Sequence, residues 1–247
     1  MADAASAGEA AGARSEREAG ERSSAAQVPS PAAAASTPSG VPGRIADKLL
    51  LAGVLAGPLN LAVVLTQAFT RDGFEPTKHA GSMLTLGDHG WIQSANFIVT
   101  GILVILGAIG LRQVVGKKAA ILLAVFGAGT ASAGIFLPDP ALGFPLGTPE
   151  GQPVTMSWHG TAHFALGGIG FLAFIACCVV LGNYFRRTAA PRWATAAYLT
   201  GTLFLAAFAG IASGSAGETV TLGFWAAIAV AWSWLTVTLN HFRVSAR

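Results

Sequence analysis

Charge is scarce in this chain: Asp, Glu, Lys and Arg make up 11% of its 247 residues, against roughly 25% in soluble domains. A water-soluble globule of this length needs more charge than that on its surface. With 53% hydrophobic residues and a mean hydropathy of +0.57, the expected solvent is lipid. Cysteine is equally sparse. Cys177 and Cys178 are adjacent within an apolar run, a placement that disfavours a disulfide and suits packing thiols. No CxxC pair occurs, which excludes the common cysteine metal and dithiol motifs. Aromatic-interleaved basic stripes are also lacking, so the formal charge of +3 does not indicate nucleic acid as a partner.

Residues 1–43 hold no large aliphatic run and consist almost wholly of Ala, Gly, Ser, Pro, Glu and Arg. Such a segment cannot offset the entropy of ordering and is expected to be a disordered tail. It lacks the apolar core of about 7–15 residues that a secretory leader needs.

What the sequence has in abundance is long apolar runs. Six of them, at about 49–69, 92–111, 119–137, 162–184, 194–213 and 220–239, contain no Asp, Glu, Lys or Arg. Each is close to the ~20 residues that carry a helix across the hydrocarbon core. Continuous rather than alternating apolar character selects helices over a barrel. The expected fold is therefore an all-α membrane protein, with six transmembrane helices within residues 44–247.

Loop charges set the expected orientation. Of the twelve Lys and Arg beyond the tail, ten fall on one side of this arrangement, and only Arg71 and Lys78 on the other. By the positive-inside rule the ten are cytoplasmic, which puts both termini inside and makes the chain a multi-pass protein of the cell membrane. Trp91 and Trp158 mark the outer interface and Trp193 the inner one. In the third run Ala120, Ala124, Ala128 and Ser132 recur every fourth residue, a stripe small enough to admit a neighbouring helix closely. Gly57-Pro58 is expected to kink the first helix, and Asn60 at that depth requires a polar partner.

Two outer connections, about 70–91 and 138–161, exceed the ~12–15 residues of ordinary loops. Four of the five histidines, His79, His89, His159 and His163, gather at this face. His159 and His163 are spaced i, i+4, so on a helix both can reach one ion. Asp139 leaves the third helix at the same level. Two histidines and a carboxylate form a candidate Zn²⁺ or Fe²⁺ site, with His89 as a further ligand and Ser82 and Asp88 as supporting residues. The competing reading is structural, with the two histidines binding helix ends and loops. Arg71, Asp72, Glu75 and Glu218 read as solvated loop residues.

The run Ser82-Met-Leu-Thr-Leu-Gly-Asp-His-Gly-Trp91-Ile-Gln-Ser-Ala-Asn96, the run Gly134-Ile-Phe-Leu-Pro-Asp139-Pro and the pair within His159-Gly-Thr-Ala-His163 occur in order at successive helix ends. Together they resemble the multi-pass bacterial and archaeal family catalogued as domain of unknown function 998, over about residues 45–240. That resemblance implies architecture and no activity. A more distant likeness, of Ser82, Asp139, His159, His163 and His89, is to the membrane hydrolases that include alkaline ceramidases and progestin-receptor-like proteins, which hold Zn²⁺ on three histidines.

Two functional classes follow. One is a structural, sensory or accessory membrane protein whose outer face binds a lipid, a small molecule or a partner. The other is a metal-dependent hydrolase acting on lipid or envelope substrates at the outer leaflet. A transporter is disfavoured, because ionisable residues inside the helices usually mark ion paths and here there are none.

Overall fold

The computed structural model describes residues 41–214 and 217–245. The expected tail lies outside the described residues, except that Val41–Gly43 form the first turn of a helix. Among the described residues there are six α-helices: α1 (Val41–Thr70), α2 (Gly90–Val114), α3 (Lys117–Ala133), α4 (Trp158–Arg187), α5 (Pro191–Ala212) and α6 (Glu218–Ser245). A short 3₁₀ turn, Gly81–Thr85, lies between α1 and α2.

Five of the six are long and apolar enough to cross a membrane. The exception is α3, whose 17 residues reach about 26 Å at 1.5 Å per residue, somewhat short of the ~30 Å hydrocarbon core. The sequence run extends to residue 137, but regular helix stops at Ala133 and Gly134–Phe136 continue only as turns. Pro138 keeps the helix from reaching residue 137, since proline disfavours helical backbone in the residue before it and offers no N–H. The other helices outrun their apolar runs at one end or both. Hydropathy marks only the lipid-facing length, whereas backbone hydrogen bonding continues into polar flanks such as Arg186-Arg187.

Each helix packs on its neighbours in the chain, and α6 returns to α1, so the helices close into a ring. The connections at 71–89 and 134–157 lie at one end, here termed the loop end. The α1 start and the α6 end lie at the other.

The α1–α2 seam has a seven-residue repeat. Gly53 meets Gly107 backbone to backbone, Asn60 Nδ2 donates to Thr100 Oγ1 (3.4 Å), and Gln67 Nε2 donates to Gln93 Oε1 (2.7 Å). Asn60 thus has the partner its depth demands. Steps of seven on both antiparallel strands of the seam keep one face in contact, as in a coiled coil. Buried amides of this kind add about 0.6–1.7 kcal/mol per interhelical hydrogen bond in lipid.

Ring closure uses Gly57, which backs onto the Trp232 carbonyl and the Thr236 hydroxyl, and an ion pair between Arg243 Nε and Asp47 Oδ1 (3.1 Å). Pro58 sits within a helix that remains continuous. In α3 the close approaches are made by Gly127 against Gly101 and Gly129 against Gly170. Of the expected alanine stripe, Ala120 is buried and Ala124 packs against the core, whereas Ala128 is exposed. Since α3 lies between two helices, its contacts divide over two flanks, and a single four-residue stripe cannot serve both.

A core built around Leu123, Phe174, Leu181, Phe185 and Leu235 fills the ring towards the termini. The outward surface is studded with exposed Leu55, Ile102, Ile121, Ile169, Leu172 and Leu203, as a lipid-facing surface requires.

Candidate functional site

Asp139 is engaged at the entrance to α4. Its Oδ2 accepts the Ser157 N–H (2.9 Å), and Ser157 Oγ in turn caps the helix by accepting the Gly160 N–H (3.0 Å). The carboxylate thus lies where a helix N-terminus favours negative charge. It also presses against Gly160, where any Cβ would overlap Oδ2. Replacing Asp139 by alanine is expected to cost about 1–2 kcal/mol, a fall in the melting midpoint of about 2–8 °C for a chain of this size. Zinc and iron content of the same preparations separates capping from ligation: metal present in the wild type and lost in the variant would assign Asp139 to a metal instead.

His163, further along α4, is buried, with Nδ1 2.7 Å from the Phe136 carbonyl. A carbonyl only accepts, so Nδ1 carries the proton, and in the neutral ring Nε2 is left as an acceptor. His159 is exposed and stacks on Trp158, ring centroids 3.6 Å apart. Asp88 and His89 are exposed before α2, and His89 lies in a separate groove beside Gln67 and Arg71. Ser82 sits in the 3₁₀ turn and shares a cavity with His163. Among the described residues no three His, Cys, Asp or Glu side chains stand close enough to hold a metal ion. The structure therefore places Ser82 and His163 on the wall of one cavity, ties Asp139 to the α4 cap, and leaves His89 and Asp88 outside it.

Two residues that sequence reasoning did not select organise this end. His79 is fully buried: Nδ1 accepts the Glu75 N–H (2.8 Å), Nε2 donates to the Leu142 carbonyl (2.9 Å), and its own carbonyl accepts the Trp225 indole N–H (3.0 Å). It thereby joins both long loops to α6. Arg71 is no solvated loop residue. It donates to the Leu84 and Leu86 carbonyls (3.3 and 2.7 Å) and lies 5.7 Å from the Phe144 ring centroid. Burial lowers its pKa from the ordinary arginine value, and nearby Asp88 opposes the shift. With Phe74, Leu84, Leu86 and Phe144 these residues form a second packed core, so the two loops make a cap over the ring.

Beneath the cap the ring is incompletely filled. A cavity of about 140 Å³ extends from Gly81 and Ser82 down to Phe126 and Trp232, with walls that include Phe171, Phe208 and Phe224. Its polar edge consists of Asn60, Ser82, Thr130 and His163, and none of the described residues lining it is Asp, Glu, Lys or Arg. Gly167 and Gly168 face this space from α4. Gly170 is needed for the contact with Gly129, but a Cβ on Gly167 would meet nothing within 4 Å. A glycine inside a helix costs up to about 1 kcal/mol relative to alanine. At Gly167 no packing constraint accounts for it, and the result is open volume.

A closed ring of apolar helices, capped by two packed loops and hollow beneath them, defines a multi-pass helical membrane protein. Residues 54–241 match the model of the family described as protein of unknown function (DUF998), and the chain belongs to that family. No match is found among curated proteins or among solved structures, and the likeness to alkaline ceramidases gains no support from these comparisons.

Proposed function

We propose that this protein binds one slender apolar ligand, a lipid chain or a molecule of similar section, in the cavity between its helices. The observation that carries this reading is an aromatic-walled space of about 140 Å³ kept open by Gly167. An apolar cavity of about 150 Å³ admits a molecule the size of benzene, so the space holds a ring or a short stretch of one chain rather than a whole lipid. The ligand's polar end would lie near Ser82 and His163, at the loop end, and its tail towards Trp232. Hydrolysis is the weaker reading, because Asp139 and His163 Nδ1 are both engaged by backbone groups.

The test is photo-crosslinking in lipid nanodiscs with a long-chain alkyl diazirine. Labels should map to Phe126 and to residues 228–232 of α6, and Gly167→Phe, which fills the cavity, should abolish them at unchanged melting temperature. Labelling confined to outward-facing residues such as Ile102 and Leu203 would overturn the proposal.

The same reading includes six crossings of the cell membrane, with the loop end outside. It is supported by the ring, in which α3 is flanked by α2 and α4, and by the nine cations among the described residues at the other end. A reporter active only in the cytoplasm should function after Arg247, and a cysteine placed at Thr148 should react with an impermeant thiol reagent added to whole cells. The reverse pattern would invert the topology.

A further inference from the structure

From the polar groups on the cavity wall we infer the class of ligand: a neutral apolar molecule ending in a hydroxyl group, which hydrogen-bonds to the polar edge formed by Asn60, Ser82, Thr130 and His163. The inference rests on the cavity being a binding site, and names what enters it.

The chemistry of the wall points this way. His163 is more than nine-tenths buried and lines the cavity. Its Nδ1 is 2.7 Å from the Phe136 carbonyl, and the Ala133 carbonyl is a second backbone group beside the ring. Thr130 also lines the space, but its hydroxyl proton is given to the Phe126 carbonyl (3.0 Å), which leaves its oxygen an acceptor. The Asn60 amide N–H₂ is directed to Thr100, so its carbonyl oxygen is the remaining group. The wall therefore offers acceptors at Thr130 and Asn60 beside the hydroxyl of Ser82, which can donate or accept, and a head that does both fits it.

Charge decides between donors. None of the described residues lining the cavity is an acid that would neutralise an ammonium group, and none is a Lys or Arg that would pair a carboxylate or phosphate. Burying an unpaired ion costs several kcal/mol even after relaxation, whereas a hydroxyl gains a hydrogen bond and carries no such penalty. Depth agrees with this assignment. His163 lies close to the start of α4 while Trp232 lies well inside α6, so a hydroxyl at His163 leaves the apolar chain directed towards the aromatic floor.

The test is competition against the diazirine probe in nanodiscs with a matched series: a long-chain primary alcohol, its methyl ether, the alkane and the corresponding fatty acid. The alcohol should compete about threefold to tenfold better than the ether, the value of one net hydrogen bond. The ionised acid should compete at least about tenfold worse than the alcohol. His163→Phe should reduce the alcohol's advantage over the ether while leaving alkane competition in place. Equal competition by alcohol and ether on the wild-type protein would overturn the inference without using any variant, and would leave the cavity itself as a binding site. An undiminished advantage in a folded His163→Phe protein would also overturn it. Failure of every compound, together with absence of probe labelling in the cavity, would instead remove the binding reading on which it rests.

Discussion

Gly53→Leu is expected to be among the most damaging single substitutions in the membrane region. A Cβ at Gly53 would lie 2.8 Å from the Gly107 Cα and 2.6 Å from Leu239 Cδ1. The Leu239 side chain can turn away, but the Gly107 backbone cannot, so α1 and α2 must separate. Overpacking of this kind costs about 1–3 kcal/mol and occasionally more. Here separation also strains the Asn60–Thr100 and Gln67–Gln93 hydrogen bonds on the same seam. We expect a loss of about 3 kcal/mol or more, and a melting midpoint in detergent lower by about 6–12 °C. Ala128→Leu serves as control. Ala128 belongs to a regular small-residue stripe in α3 but is exposed, and its replacement should fall within about 0.5 kcal/mol of wild type. If the two variants melt alike, the seam described for α1 and α2 is wrong.

The second large effect is expected at His79. Alanine there removes a fully buried ring that packs on Phe74 and Phe144, with centroids at 5.2 and 5.4 Å. It also strands the Glu75 N–H and the Leu142 carbonyl. A cavity together with two orphaned backbone groups costs about 3 kcal/mol or more. Because His79 bridges the two long loops, the damage should be local first. Limited proteolysis should cut within 138–157 in His79→Ala well before the helices are attacked. His79→Phe, which restores the ring without the hydrogen bonds, should be intermediate, and the exposed His89→Ala should resemble wild type. Equal protease resistance in His79→Ala and wild type would mean that the cap is held by other contacts.

These two residues also show where sequence is and is not legible. The membrane helices could be read because lipid imposes a one-dimensional rule: a stretch that must satisfy its own backbone and face hydrocarbon is long, apolar and uncharged. The need of Asn60 for a partner was visible for the same reason. The identity of that partner was also present in the sequence. Gly53, Asn60 and Gln67 recur every seventh residue, as do Gln93, Thr100 and Gly107, and matching these two heptads predicts the antiparallel seam. The four-residue alanine stripe in α3 was the more conspicuous pattern, yet Ala128 within it is exposed, and the close backbone approaches at Gly127 and Gly129 lie outside it. A stripe reports what a helix could admit and does not report which face meets a neighbour.

At the loop end sequence was a poorer guide. The i, i+4 spacing of His159 and His163 holds on α4, but one ring is exposed on Trp158 and the other is buried against Phe136. His79 and Arg71 carried no local signal, since their partners Leu142, Trp225 and Phe144 are distant in the chain.

Sequence by itself determined that this chain lives in lipid, which stretches are helices and which end carries the positive charge. Those are properties of single segments, set by transfer free energy and backbone hydrogen bonding. The tertiary structure alone decided that the helices close into a ring, that the two long loops join over it through His79, and that a space remains beneath them. Each of these depends on side chains that are far apart in sequence meeting, or in the case of Gly167 on nothing being there to meet.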